Sequence, residues 1–306
     1  MSQIALRLLD GGMGRELKRI GAPFRQPEWS ALALIEAPEF VLQAHGAFIA
    51  AGARIITTNS YAVVPFHIGD ARFAEQGRLL AERAGRLARQ AASASVEPVA
   101  VAGSLPPALG SYRPDLFDHQ RSVAIHRELI DGLQAHVDVW LAETQSSTAE
   151  VRAVVEALGA QSKPLWVSFT LLDETDGPAQ LRSTESVGDA VRVAAQLGAQ
   201  AVLFNCSQPE VMAAALTEAR LVIQSLGQSL ELGVYANAFP PVNTEAKANS
   251  TLLEIRSDLG PESYLDWSRT WVEAGATIVG GCCGIGPEHI AQLHLHLRPQ
   301  TEVAGK

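Results

Sequence analysis

Short β-branched and apolar runs recur eight times along this 306-residue chain, with helical patterns between most of them. The runs cover 6–9, 54–57, 99–102, 137–142, 165–169, 201–204, 232–235 and 277–279. Helical periodicity fills 38–51, 79–91, 119–136, 148–158, 187–197, 209–226 and 262–274. Ser147 with Glu150, and Ser207 with Glu210, read as capping boxes that satisfy orphan amides at helix starts. Four helical stretches stop at Gly-Ala, at Gly52, Gly159, Gly198 and Gly275. Glycine just past a helix takes the left-handed conformation without a Cβ penalty. Eight strands alternating with helices imply an α/β fold, a (β/α)8 TIM barrel. It is read as a single domain over 1–306, with a short loose tail from about 299. An open doubly wound sheet would show a Gly-rich phosphate turn and an acidic residue ending its second strand. Residues 10–14 bring the glycines, but the second run ends in Thr57-Thr58-Asn59.

The residues that carry chemistry stand at the C-terminal ends of these runs. Asp10 ends the first, Thr58-Asn59-Ser60 the second, Gly103-Ser104 the third and Glu143-Thr144 the fourth. Cys206 ends the sixth, Asn237 follows the seventh, and Cys282-Cys283 follow the eighth. Barrels build their active sites on that rim. These three cysteines are all the chain has. Cys206 and the pair lie on runs two apart, so their backbones stand roughly 10 Å apart, a gap that inward-leaning side chains close. Consecutive strand residues point to opposite faces, so Cys282 and Cys283 share a metal only if the chain turns. Gly280, Gly281 and Gly284 permit that turn. Soft thiolates select Zn2+ over magnesium or calcium, and three protein ligands leave one position open for chemistry.

Bulk properties narrow the partners. Hydrophobic residues make up 47% of the chain, enough for one large core, and no linker is visible. A net charge of −9 without a long basic run argues against nucleic acid and anionic membranes. No apolar stretch reaches spanning length, and the N-terminus does not read as a secretory signal. A cytoplasmic setting is expected, where three cysteines bind metal or catalyse rather than form disulfides. None of the eight histidines is spaced to join the cysteines; His289, His294 and His296 fall in an expected terminal helix.

Several motifs in order make the chain resemble the homocysteine S-methyltransferase family from Leu9 to about Ile290. They are Leu9-Asp10-Gly11-Gly12-Met13-Gly14, Thr57-Thr58-Asn59-Ser60-Tyr61, Leu141-Ala142-Glu143-Thr144, Asn205-Cys206 and Gly280-Gly281-Cys282-Cys283-Gly284. The resemblance implies a zinc-dependent enzyme on a (β/α)8 barrel. It assigns Cys206, Cys282 and Cys283 to zinc. It gives Asp10 and Glu143 the homocysteine amino group, and Gly11, Gly12 and Thr58 the amino-acid pocket. Asn237 matches a rim asparagine, and Trp29 a tryptophan near the methyl donor. Tyr61 and Tyr112 are further donor-pocket candidates, since an aromatic wall suits a cationic donor. Two features depart from relatives: the Pro106-Pro107 loop, and an end near the last barrel helix without the long arm of the betaine enzymes. The second argues against that group's tetramer.

The implied reaction moves a methyl group from a small sulfonium donor to the thiolate of L-homocysteine, giving methionine. S-methylmethionine is the first donor candidate and S-adenosylmethionine the second. The partners are then small molecules, and the protein a monomer or small homo-oligomer. Alternatives are another thiol or selenol acceptor (selenocysteine, selenohomocysteine), a betaine-type donor, the homocysteine half of a cobalamin-dependent system, or a zinc- or thiol-binding protein without turnover.

Overall fold

Eight parallel strands form one sheet: β1 (Arg7–Leu8), β2 (Ile55–Thr57), β3 (Ala100–Leu105), β4 (Val139–Gln145), β5 (Leu165–Phe169), β6 (Ala201–Asn205), β7 (Glu231–Tyr235) and β8 (Ile278–Val279). Their order is β1-β8-β7-β6-β5-β4-β3-β2. The two ends meet. Leu9 bridges Ile55 in parallel, Arg54 donates its amide to Leu8 and Asp10 donates to Ile55. The sheet is therefore closed into the expected (β/α)8 barrel, which leaves no free edge. The chain is described in this computed structural model over residues 5–160, 162–174, 176–241 and 255–297. The expected loose tail lies outside the described residues.

Alternation along the strands sorts side chains into two layers. Leu9, Ile55, Ala102, Leu141, Trp166, Leu203, Tyr235 and Ile278 pack together as one cluster that fills the barrel. The larger cluster lies between strands and helices, with Trp140, Phe169, Phe204, Tyr264 and Trp271 fully or nearly fully buried. The helices are α1 (Met13–Arg19), α2 (Ser30–Glu36), α3 (Pro38–Ala50), α4 (Pro65–Ile68), α5 (Asp70–Ser93), α6 (His119–Leu133), α7 (Thr148–Leu158), α8 (Val187–Gln196), α9 (Pro209–Leu226), α10 (Pro261–Ala274) and α11 (Pro287–His296). The short α1, α2 and α4 escape a periodicity reading, which needs more than two turns to register. Among the described residues no helix is long and apolar enough to cross a membrane.

Helix endings follow the expected chemistry. Gly52, Gly159, Gly198 and Gly275 all have positive φ, from 57° to 117°. The Ser147–Glu150 capping box forms: Glu150 N–H donates to Ser147 Oγ at 3.3 Å and Ser147 N–H to Glu150 Oε2 at 3.1 Å. The second box does not. Gln208 precedes α9 and makes no side-chain cap. Ser207 Oγ instead accepts the Leu171 amide at 2.7 Å, and Glu210 pairs with Arg256 at 2.7 Å. Long-range partners on the rim outcompete the local amide for both groups.

Candidate metal and substrate site

Cys206 directly follows β6 and sits at φ 50°, a left-handed conformation uncommon for a residue with a Cβ. Its amide donates to the Tyr235 carbonyl at 3.3 Å. Its carbonyl accepts from the Tyr112 and Thr170 hydroxyls, each at 3.4 Å. Cys282 follows β8 and donates its amide to Ala236 at 2.9 Å, while Ala238 donates to the Cys283 carbonyl at 2.8 Å. Gly284, at φ 88°, turns the chain there, as the paired cysteines require. The three sulfurs converge within 4.8 Å of one another.

Two of those sulfurs are closer still. Cys206 and Cys282, with Cα atoms 5.7 Å apart, form a disulfide, and Cys283 is free. The expectation favoured metal binding or catalysis over disulfides; the structure pairs two of the three cysteines and still gathers all three sulfurs. Redox compartment sets the general tendency of thiols to pair, but here the rim gathers these three within 4.8 Å of one another. The donor set nevertheless fits zinc. A tetrahedral site with Zn–S near ~2.3 Å spaces its sulfurs about 3.8 Å apart, so once a thiol reductant supplies the two electrons that cleave the disulfide to two thiolates, small side-chain motions suffice. A disulfide alone gives no reason for the third sulfur to converge. Burial pushes the Cys283 thiol up to about 11, opposed by the nearby Arg15 guanidinium. A bound cation is what would ionise such buried thiols.

Asp10 and Glu143 are both buried. Thr57 donates to Asp10 from its amide at 2.8 Å and from its hydroxyl at 3.1 Å. Ser104 Oγ donates to Glu143 Oε2 at 2.5 Å. Burial lifts Asp10 to about 8, helped by the negative charge of Glu143. Burial likewise lifts Glu143 to about 7 against the hydroxyls of Ser104 and Tyr235. Tyr235 OH lies near Glu143 without a well-directed hydrogen bond. The register of β4 against β5 shifts between Ala142 and Gln145. Thr144, at φ 59°, sits inside this shift. It is held by Asn205 Nδ2 at 2.8 Å, and Asn205 in turn by Ser168 Oγ at 2.8 Å. Such irregularities re-aim side chains at a barrel rim.

The remaining sequence candidates fall on or near this rim in different roles. Gly11 and Gly12 are where β1 meets the β8 turn. A Cβ on Gly12 would stand 2.5 Å from the Cys282 carbonyl, and one on Gly11 would overlap Ile285. Their smallness serves close backbone approach. Thr58 Oγ1 is committed to the Ser104 amide at 3.0 Å and to Ser60 Oγ at 2.9 Å. Its neighbour Thr57 is the one that touches Asp10. Asn237 Oδ1 accepts the Phe239 amide at 3.3 Å, and its buried Nδ2 has no partner among the described residues. Tyr61 shares a 2.7 Å hydrogen bond with Ser111, and the Arg182 guanidinium lies 4.8 Å from the Tyr112 ring centroid. Both phenols feel the charge of Cys283, which puts them beside the sulfurs. Trp29 packs on Gly14 of α1 and lies 5.2 Å from the Phe24 ring. Sequence reasoning missed Thr57, Tyr235, Phe239 and Arg15. The first is one residue from a named candidate, Tyr235 reads as ordinary strand, and Arg15 sits in a helix too short to register.

The homocysteine S-methyltransferase family model matches residues 7–297, nearly the whole chain. The chain belongs to the homocysteine S-methyltransferase family. It is a methyltransferase on that footing. Among curated relatives, the homocysteine S-methyltransferase of Escherichia coli K12 is 31% identical, over 94% of this chain and 93% of its own length. A selenocysteine Se-methyltransferase of Brassica oleracea var. italica is 26% identical, over 95% of this chain and 88% of its own. The metallated form of the homocysteine methyltransferase MmuM from E. coli superposes with a TM-score of 0.77 at 30% identity, covering 96% of each chain. Its oxidized form gives the same TM-score at 28% identity, again over 96% of each chain.

Proposed function

We propose that this family member transfers a methyl group from a small sulfonium donor, S-methylmethionine or S-adenosylmethionine, to the thiolate of L-homocysteine. Zinc would be held by Cys206, Cys282 and Cys283. The observation that carries the reading is the pair of buried carboxylates, Asp10 and Glu143, on the same rim as three converging sulfurs. Burial raises Glu143, and the groups that oppose it are the hydroxyls of Ser104 and Tyr235. A buried acidic pair of this kind is incomplete without a cationic ligand. Bare metal storage has no use for it; an amino acid bearing a thiol uses both halves.

Zinc bound to the thiolates would supply the Lewis acidity that keeps the acceptor sulfur ionised near neutral pH. The chain's own residues do the rest. Asp10 and Glu143 accept charge-assisted hydrogen bonds from the substrate ammonium. Thr57 and Ser104 orient those carboxylates from behind. The barrel rim holds sulfur and methyl at near-attack distance. A new S–CH3 bond forms as the donor's S–CH3 bond breaks, and its electron pair stays on the donor sulfur. The leaving group is a neutral thioether, so no side chain has to protonate it. A selenol acceptor is the second reading, favoured by the similarity to the Brassica enzyme. The ammonium clamp would serve either acceptor.

The clamp makes binding pH-dependent. Burial raises Asp10 to about 8 and Glu143 to about 7. An ammonium ligand needs them ionised, so binding expels protons. Affinity is greatest above about pH 8, as long as the ligand's own ammonium stays protonated, and is lost as pH falls through about 8 and then about 7. L-methionine carries the ammonium without the thiol and isolates this effect. Its Kd is expected to rise by about tenfold per unit below pH 7 for each proton expelled. A constant Kd across that range contradicts the clamp.

Rates of methionine formation from homocysteine with S-methylmethionine, S-adenosylmethionine, dimethylsulfoniopropionate and betaine test the donor. The sulfonium compounds should lead. A preference for betaine, or activity only with a methylcobalamin partner, overturns the donor assignment and leaves the acceptor half standing.

A further inference from the structure

Tyr264 carries a buried hydroxyl that the functional reading leaves unused. It lies in the first turn of α10 and is fully buried. Its ring is fixed from two sides. Trp271 packs edge to face with centroids 5.4 Å apart, and His289 of α11 does the same at 5.8 Å. His289 is itself held: its Nδ1 accepts the Gly286 amide at 3.2 Å, and its Nε2 donates to the Leu259 carbonyl at 3.1 Å. The tyrosine hydroxyl is thereby aimed. It donates to the Gly280 carbonyl at 2.7 Å, with the Ala236 carbonyl 3.3 Å away. That same Ala236 carbonyl accepts the Cys282 amide at 2.9 Å.

The other end of the Gly280–Gly281 peptide group is pinned as well. The Gly281 amide donates to the Asp10 carbonyl at 2.9 Å. The peptide plane is therefore fastened by its oxygen to α10 and by its nitrogen to the chain just after β1. A plane between two glycines is the easiest in the turn to rotate. Rotating it would carry Cys282, the next residue, away from the other sulfurs. Side chains cannot stiffen it. A Cβ on Gly280 would stand 2.4 Å from Leu9 Cβ, and one on Gly281 would stand 2.1 Å from Ile285 Cγ2. Hydrogen bonds have to hold the plane instead.

We propose that Tyr264 is a positioning residue for the metal site: its hydroxyl locks the Gly280–Gly281 peptide so that Cys282 is placed beside Cys206 and Cys283 before any ion binds. The inference rests on the zinc reading above. A site ordered in advance spends less of the binding free energy on ordering its ligands.

The test measures zinc affinity by chelator competition on reduced wild-type, Tyr264→Phe and Ser268→Ala proteins. Tyr264→Phe keeps the ring between Trp271 and His289 and removes only the hydroxyl. It should weaken zinc binding by about ten- to a hundredfold, as loss of a hydrogen bond behind a metal ligand does. L-methionine affinity, measured on the same proteins without zinc, should not change, because Thr57 holds the Asp10 carboxylate independently of the turn. Ser268→Ala removes another buried α10 hydroxyl, one that donates to the Tyr264 carbonyl at 2.8 Å, and should leave zinc affinity unchanged. Amide exchange on wild-type protein needs no variant: the Gly281 amide should be protected in reduced, zinc-free protein. Wild-type zinc affinity in Tyr264→Phe, an equal loss in Ser268→Ala, a matching loss of L-methionine affinity, or a Gly281 amide protected only once zinc binds overturns the proposal. Wild-type protein that binds no zinc overturns the functional reading, and this inference with it.

Discussion

A Cys283→Ala protein is expected to remain a folded barrel, to hold zinc at least about a hundredfold more weakly, and to form no measurable methionine. Cys283 is the discriminating choice. The Cys206–Cys282 disulfide does not involve it, so a site whose purpose were that bond would survive its loss. A three-thiolate metal site would not. The backbone contact that fixes the turn, Ala238 N–H to the Cys283 carbonyl, does not depend on the side chain. Circular dichroism separates metal loss from unfolding. Zinc measured after dialysis against a chelator gives the direct comparison with wild type. Full turnover in zinc-free Cys283→Ala protein would remove the metal from the account.

Glu143→Gln is expected to raise the homocysteine KM while leaving zinc content unchanged. Glutamine keeps the shape, and its carbonyl can still accept from Ser104 Oγ, which now reaches the carboxylate at 2.5 Å. What disappears is the charge opposite the substrate ammonium. A hydrogen bond to a charged group contributes about 1.5–3 kcal/mol, so the KM should rise roughly ten- to a hundredfold. Asp10→Asn should act in the same direction, since Asp10 is buried beside Glu143 and feels its charge. Unchanged kinetics in both variants would take the pair out of the substrate site.

Much of the barrel is legible in the sequence because each strand is a short apolar run between polar rims. The run 165–169 coincides with β5, and the helical stretches 148–158 and 209–226 coincide with α7 and α9. Strand ends on the rim are less legible. β3 continues to Leu105 and β4 to Gln145, through Gly103-Ser104 and Glu143-Thr144, which read as strand ends. Those residues pair with neighbouring strands, and pairing across the barrel leaves no local trace. The metal candidates are legible because three cysteines at run ends need only the (β/α)8 topology to meet. Their partners are not. The choice of Thr57 over Thr58 beside Asp10 depends on which way one strand residue faces. The Ser207 hydroxyl looks like a helix cap and is used across the rim instead. Arg15 reaches the cysteine turn only through tertiary packing of a seven-residue helix.

The most direct measurement is zinc X-ray absorption on the purified protein before and after homocysteine is added. Three sulfur neighbours from the protein, rising to four with homocysteine, is the result predicted here. A first shell of nitrogen and oxygen, or a sulfur count that homocysteine leaves unchanged, would contradict it.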